Sequence, residues 1–381
     1  MKFIDQKRVH QRADAAFVKR KFLDIRYAPE GDWMLPGFYS PDGEWKTARD
    51  RDDTESNYPG MKFAAAAAEA KTGTTAAERL EEEIAAIERV SSEKAVPTQG
   101  DVLDTSDGAF PCDGQHRLLD IYLPNEGDGP YPVVIDLFGG GFYFGRKSSH
   151  KLEPALNLLR RGFAVVSINY SMSFQAEFPV QIQEIKAAIR FIRKHAEEYG
   201  LDGSRIALMG ESAGAHMAAL AATSASCGEL VDSRWPNQDV SDEVQAVIAV
   251  YCPVNLGLAA SLFEVERKAY GLDTILKEGG SSSMEAVLLG GPVNERPWMN
   301  AMANPETYVN KNCPPFLFLH GTQDQVVPIL GSMHFAATLI QKIGTEKVQY
   351  QIVEGAHHNI HDFEEEWIYN LEAKFLKEQM G

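Results

Sequence analysis

The chain has 381 residues, 44% hydrophobic and 24% charged, which are globular proportions with room for one large domain or two. Its formal net charge of −17 argues against nucleic acid or an anionic membrane as a partner, since both attract basic surfaces. The first twenty residues carry many charges and no apolar h-region, and no apolar run is long enough to span a bilayer, so no leader and a cytoplasmic location are expected. Cys112, Cys227, Cys252 and Cys313 follow no metal or disulfide spacing and read as reduced thiols.

The first hundred or so residues differ from the rest. Met1 to Tyr27 reads as helical, mixed in charge and weakly amphipathic. Residues 28–60 interleave Pro29, Gly31, Pro36, Gly37, Pro41, Gly43, Pro59 and Gly60 with Trp33, Phe38, Tyr39, Trp45 and Tyr58. That composition excludes a regular element and is too aromatic for a plain disordered linker. Such an arm packs onto another surface, either as a structural wrap or homodimer contact, or with some aromatics bordering a functional site. Two helices are predicted next. One is the alanine-rich stretch Lys62 to Lys71. The other runs from Thr75 to Val90, opened by the capping box Thr75-x-x-Glu78, with Leu80, Ile84 and Ile87 on one face. Glu81, Glu82 and Glu83 read as a solvated face, and Ser91 to Gly108 as a linker.

From about residue 110 buried strands alternate with amphipathic helices. Strands are predicted at Leu118–Leu123, Pro132–Phe138, Phe163–Ile168, Arg205–Met209, Val244–Tyr251, Pro315–Leu319 and Val348–Val353. Helices are predicted at Leu152–Arg161, Val180–Tyr199, Ala215–Thr223, Ser332–Ile343 and from about Asp362 to Gln379. The Val180 helix carries Ile182, Ile185, Ile189 and Ile192 on one face and is closed by Gly200. The pattern implies an α/β fold with a mostly parallel sheet covered by helices on both faces. Ligands of such sheets bind beyond the carboxyl ends of the strands.

The motifs fall at those ends. Gly210-Glu211-Ser212-Ala213-Gly214 joins a buried strand to an Ala- and Leu-rich helix. A serine on so sharp a turn is held exposed above the sheet as a nucleophile, and its flanking glycines allow the strand and helix backbones to pass close together. Phe138-Gly139-Gly140-Gly141-Phe142 follows another strand, and side-chain-free amides there can converge on a developing oxyanion. The amides of Gly140, Gly141 and Ala213 are the candidates for that role. Asp324, beyond the Pro315–Leu319 strand, is placed to orient an imidazole and stabilise its charged form. Glu354-Gly355-Ala356-His357-His358-Asn359 follows the last strand, and either His357 or His358 can be the base. His216 and His320 read as structural. No cluster has zinc spacing, and the three glycines match neither a dinucleotide fingerprint nor a P-loop, so no metal or cofactor is expected.

From about residue 110 to its end the chain resembles the α/β-hydrolase esterases, in the branch of hormone-sensitive-lipase-like carboxylesterases and bacterial acetylxylan and feruloyl esterases. The resemblance rests on Phe138–Phe142, Phe178–Arg190, Gly210–His216, Pro314–Gly321 with Asp324 and Val327-Pro328, and Glu354–His358. It implies an α/β-hydrolase domain over residues 110–381 behind an N-terminal extension over 1–109, with a cap insertion at about 254–303. It implies Ser212 as nucleophile, Asp324 as orienter and His358 as base, because the family's Gly-Ala-x-His pattern places its histidine there. Two positions depart from the family: Phe138 stands where a histidine usually precedes the three glycines, and Tyr170-Ser171 stands where Tyr-Arg is frequent. The first puts the support of the oxyanion loop in question.

The expected activity is therefore hydrolysis of small or aromatic carboxylic esters, including hydroxycinnamoyl or acetyl esters of plant-derived compounds, through an acyl-enzyme. Amide, formamide or peptide hydrolysis on the same triad is the alternative, and a non-catalytic binding protein of the same fold is the remote one. The cap segment holds Leu256, Leu258, Leu262, Phe263, Tyr270, Leu288, Leu289, Trp298 and Met299, which are either ordinary core or an acyl pocket. Phe142, Phe144 and Trp298 are the pocket candidates carried forward.

Overall fold

The computed structural model describes residues 13–28, the backbone of 37–39 and 45–47, and residues 117–143, 145–173, 176–225, 230–233, 235–272, 274 and 283–381. The helices expected at Lys62–Lys71 and Thr75–Val90, the linker Ser91–Gly108, Cys112, Cys227 and Phe144 lie outside the described residues.

Ten strands are present among the described residues: β1 (Arg20–Arg26), β2 (Gly37–Tyr39), β3 (Trp45–Thr47), β4 (Leu118–Leu123), β5 (Tyr131–Leu137), β6 (Ala164–Ile168), β7 (Leu201–Glu211), β8 (Ala246–Val250), β9 (Phe316–Gly321) and β10 (Val348–Val353). Eight of them form one sheet in the order β1-β4-β6-β5-β7-β8-β9-β10. β4 is antiparallel to β1 and β6, and every pairing from β6 to β10 is parallel. The inner parallel strands β6, β5, β8 and β9 are nearly continuous apolar runs because both faces of the sheet are covered there. Side chains alternate between two cores: Val133, Ile135 and Leu137 of β5 join one, and Val134 joins the other.

The helices are α1 (Glu153–Leu156), α2 (Val180–Lys194), α3 (Ala213–Thr223), α4 (Ala259–Tyr270), α5 (Met284–Leu289), α6 (Pro297–Ala303), α7 (Ile329–Ile343) and α8 (Glu366–Met380). Ile182, Ile185, Ile189 and Ile192 of α2 are all fully buried, as their spacing requires. The stretch expected as one helix at Leu152–Arg161 is broken. Only Glu153–Leu156 is α-helical, between 3-10 turns at His150–Leu152 and Asn157–Arg161.

Two expectations for the N-terminal stretch are corrected. Arg20–Arg26 is a strand, not part of a helix, and pairs antiparallel with β4 at the edge of the main sheet. Its charge-rich pattern carries no helical stripe; the pairing edge of β4 decides its conformation, and charged side chains suit an exposed edge. Lys147 Nζ ties it down, lying 2.7 Å from Asp24 Oδ1 and 2.6 Å from Asp120 Oδ1. Within the Pro- and Gly-rich arm, β2 and β3 pair antiparallel, so the arm does hold regular structure. Both strands avoid proline and are rich in aromatic and β-branched residues.

The chain reaches β6 on one side of β5 and then returns to β7 on the other. The sheet thus changes winding direction between β5 and β7, where open α/β sheets bind ligands. The approach there is tight. A Cβ added at Gly214 would stand 1.9 Å from the Leu137 carbonyl oxygen, and one at Gly210 would stand 2.5 Å from the Gly214 carbonyl. In the stretch expected as a cap, about 254–303, the described residues between β8 and β9 include the helices α4, α5 and α6 and short 3-10 turns at Leu256–Leu258 and Val293–Glu295.

Two predictions follow from this packing. Gly214→Ala has no flexible neighbour to move aside, so it should cost several kcal/mol, in the range of severe core disruption, read as a collapse of Tm. Glu372 on α8 is buried with Oε2 unpartnered, and burial pushes its carboxyl up to about 8. A raised folded-state value makes its contribution to stability full below about 4.5 and lost as pH rises through about 8. Glu372→Gln should therefore raise Tm at pH 9 and leave it nearly unchanged at pH 5.

Candidate active site

Ser212 sits between β7 and α3 with φ 54° and ψ −123°, a backbone conformation rarely adopted by non-glycine residues. Its amide donates to the Val250 carbonyl at 3.0 Å, and its carbonyl accepts the His216 amide at 3.0 Å. The strained turn is thus fixed on both sides. Its hydroxyl meets His358 Nε2 at 2.9 Å, and His358 Nδ1 meets Asp324 Oδ2 at 2.8 Å. Ser212, Asp324 and His358, spread over 146 residues of sequence, lie in one hydrogen-bonded line.

Asp324 is held on both oxygens. Oδ1 accepts the amides of Val326 at 2.9 Å and Val327 at 2.8 Å. Burial alone would raise its carboxyl. The charge of His358 beside it, with hydrogen bonds from His320 and His358, outweighs burial and holds it well below the usual carboxylate range. His358 also rests on the Tyr251 ring, centroid to centroid 4.4 Å. His357 points elsewhere: its amide and Nδ1 face Asp362 Oδ2 at 2.7 and 3.2 Å. The geometry therefore selects His358 as Ser212's partner.

Gly140, Gly141 and Ala213 all line the cavity beside Ser212. Ala213 is the first residue of α3, so its amide has no partner within the helix and sits at the positive end of the helix dipole. The loop before it is supported without the family's usual histidine. Phe138 stacks on Tyr170 at 4.5 Å, and the Tyr170 hydroxyl donates to the Phe138 carbonyl at 2.6 Å. The Gly139 amide donates to Glu211 Oε1 at 2.5 Å, and Lys151 Nζ lies 3.3 Å from the same oxygen. Glu211, the residue before Ser212, thus locks the glycine loop to the elbow.

The cavity has a volume of about 200 Å³ and two kinds of wall. Val254, Leu256, Leu258, Leu262, Met284 and Val327 form an apolar one. His150, Lys151, Asn359 and His361 form a polar one, with the two histidine rings stacked at 5.6 Å. Phe142 is buried and lines the cavity. Trp298 does not: it lies on α6, is 86% exposed, and is absent from the lining. The short helix α6 turns it outward, an orientation no spacing rule reveals. The cap hydrophobics divide three ways. Leu256, Leu258 and Leu262 line the cavity, Phe263, Leu288 and Leu289 are core, and Tyr270 is 71% exposed.

Met284 carries no motif signal, yet a Cβ at Gly141 would stand 2.1 Å from its sulfur, so it closes over the glycine loop. His216 is fully buried, and its Nδ1 donates to the Pro253 carbonyl at 2.9 Å. Burial pushes its imidazole down to about 4, which keeps it neutral, and it stays off the cavity wall. Among the described residues no group of three or more His, Cys, Asp and Glu could hold a metal ion. No described helix is long and apolar enough to cross a membrane.

Comparison with known proteins agrees with this geometry. A family model described as BD-FAE matches residues 119–339, more than half of the chain and the span from β4 into α7. The chain belongs to the BD-FAE family. Its fold is that of the α/β-hydrolases. Esterase LipQ of Mycobacterium tuberculosis (strain ATCC 25618 / H37Rv) is 32% identical over 257 residues, 67% of this chain and 56% of that protein. The chain spans about half the length of the curated relatives it matches, between 49% and 57% for three of them. A solved structure, a truncated form of a carbohydrate esterase from gut microbiota, superposes with TM-score 0.60 at 28% identity, covering 69% of this chain and 91% of that one. A bifunctional GH43-CE protein of Bacteroides eggerthii superposes with TM-score 0.60 at 32% identity, over 70% of this chain and 36% of that one. This BD-FAE chain shares its fold with these neighbours.

The depressed Asp324 carboxyl carries a pH signature. A lowered folded-state value supplies stability above the ordinary aspartate range, near about 3.9, and loses it as pH falls through the folded value. Asp324→Asn should unfold at lower denaturant than the parent at pH 7, and the gap should shrink as pH falls toward 3.

Proposed function

We propose that this protein is a serine carboxylic-ester hydrolase acting on small or aromatic acyl esters, among them acetyl and hydroxycinnamoyl esters of plant-derived compounds. The observation that carries the proposal is the line Ser212 Oγ–His358 Nε2 at 2.9 Å and His358 Nδ1–Asp324 Oδ2 at 2.8 Å, opening onto the cavity.

His358 takes the Ser212 proton as the hydroxyl attacks the ester carbonyl, and Asp324 stabilises the imidazolium that forms. The amides of Gly140, Gly141 and Ala213 receive the oxyanion. His358 then protonates the departing alcohol. Water, activated by the same imidazole, attacks the acyl-enzyme and releases the acid. The apolar wall with Phe142 takes the acyl group, and a cavity of about 200 Å³ favours a short or single-ring acyl chain over a long one. The polar wall built by His150, Lys151, Asn359 and His361 suits a hydroxylated alcohol. The relatives support this reading by name: one is an esterase, one a carbohydrate esterase. A binding protein without catalysis is disfavoured, because all three triad positions are filled and within hydrogen-bonding distance.

The test is kcat/KM for methyl ferulate beside p-nitrophenyl butyrate and p-nitrophenyl acetate. At least one should turn over, and Ser212→Ala should lose about 10³-fold or more. His358→Ala should fall comparably, whereas His357→Ala should stay within about fivefold, since its ring partners Asp362. Ester turnover that survives in Ser212→Ala would defeat the assignment.

A further inference from the structure

The carboxylate of Asp324 receives two imidazoles, not one. His320, near the end of β9, is fully buried. Its Nε2 lies 3.3 Å from Asp324 Oδ2 and 3.2 Å from the Val327 carbonyl oxygen. Both are acceptors, so Nε2 carries the proton; it donates to the Val327 carbonyl and also faces the Asp324 oxygen that His358 Nδ1 approaches. Its other nitrogen, Nδ1, lies 2.8 Å from Ser332 Oγ on α7, and that hydroxyl meets the Tyr350 hydroxyl of β10 at 2.7 Å. A chain Tyr350–Ser332–His320–Asp324–His358–Ser212 therefore runs from the far strand of the sheet to the nucleophile. Each link is shorter than 3.4 Å.

We propose that His320 is a positioning residue for Ser212 chemistry: by sharing Asp324 Oδ2 with His358, it limits how strongly the carboxylate holds the imidazolium during turnover. A loop-shaping histidine would need only its contact with Val327. Here the two acceptors at Nε2 fix the tautomer, and the proton they share also faces the oxygen that orients the base. The two backbone amides on Oδ1 keep Asp324 in place independently, so His320 divides its charge and does not merely hold its position. The other ionisable groups facing this centre are Glu266 of α4, which accepts the Leu330 amide at 3.0 Å, Cys252 and Tyr251 beyond β8, and Tyr350. The cap therefore reaches the back of the triad through Glu266. The proposal rests on the Ser212–His358–Asp324 reading above.

The test follows the His358 imidazole by nitrogen-resolved NMR across pH in the parent, His320→Leu and His320→Gln, beside kcat/KM for p-nitrophenyl acetate. His320→Leu leaves the Asp324 charge to His358 alone. The His358 titration and the acid limb of kcat/KM should both move to higher pH by about 0.5–1 unit, with kcat about tenfold lower. His320→Gln, which keeps an N–H donor at that reach, should remain near the parent in both. An unmoved titration in His320→Leu, or equal displacement in the Leu and Gln variants, would overturn the proposal in favour of plain packing. Should His320→Leu fail to fold, Ser332→Ala decides. Removing the hydroxyl that seats Nδ1 should loosen the ring and move the titration in the same direction by a smaller amount, and no movement overturns the idea. Because the NMR readout needs no turnover, a parent silent on every ester would defeat the ester reading and still leave this proposal decided.

Discussion

The site depends on one close approach. α3 begins so near the end of β5 that a single added carbon at Gly214 would overlap the Leu137 carbonyl oxygen. That contact sets the elbow's sharpness, forces Ser212 to positive φ, and brings the amide of Ala213 beside the glycine loop that leaves β5. The strain is retained because both sides of the turn are bonded, to Val250 behind and His216 ahead. The parallel core of the sheet is the rigid frame against which this one strained residue can be held.

At the elbow and toward the β1 edge of the sheet, polar groups are held in pairs. Glu211 holds Gly139, Lys147 joins β1 to β4 through Asp24 and Asp120, and Arg117 pairs with Glu184 inside α2's surroundings. Such pairs cost desolvation and repay it through geometry, so they specify positions more than they add stability. Glu372 is the counterexample, a carboxyl without a partner on one oxygen, which burial drives toward its neutral form. The same low dielectric that penalises Glu372 strengthens the hydrogen bonds between Asp324 and its two imidazoles.

The cap walls the cavity and ties it to the fold. Leu256, Leu258, Leu262 and Met284 wall the cavity from residues between β8 and β9, while Glu266 from the same insertion caps the start of α7. A substitution in the cap can thus act on substrate fit directly, or on the triad through α7 and Ser332.

The sequence by itself determined the parts governed by local rules. Nearly continuous apolar runs marked the inner parallel strands, the isoleucine spacing marked α2, and glycine spacing marked the elbow and the glycine loop after β5. These are short-range statements about backbone freedom and burial, and the residues 119–339 matched by the family carry them. The tertiary structure alone decided everything that rests on distance across the chain. It chose His358 over His357 because only one ring faces Ser212, the other being drawn to Asp362. It replaced the family's usual histidine with a Tyr170 stack and a Glu211 carboxylate, turned Trp298 outward, and recruited Arg20–Arg26 as an edge strand. It also brought His320 onto the triad acid. Side-chain direction and strand pairing are set by neighbours far away in sequence, and no local pattern encodes which neighbour arrives.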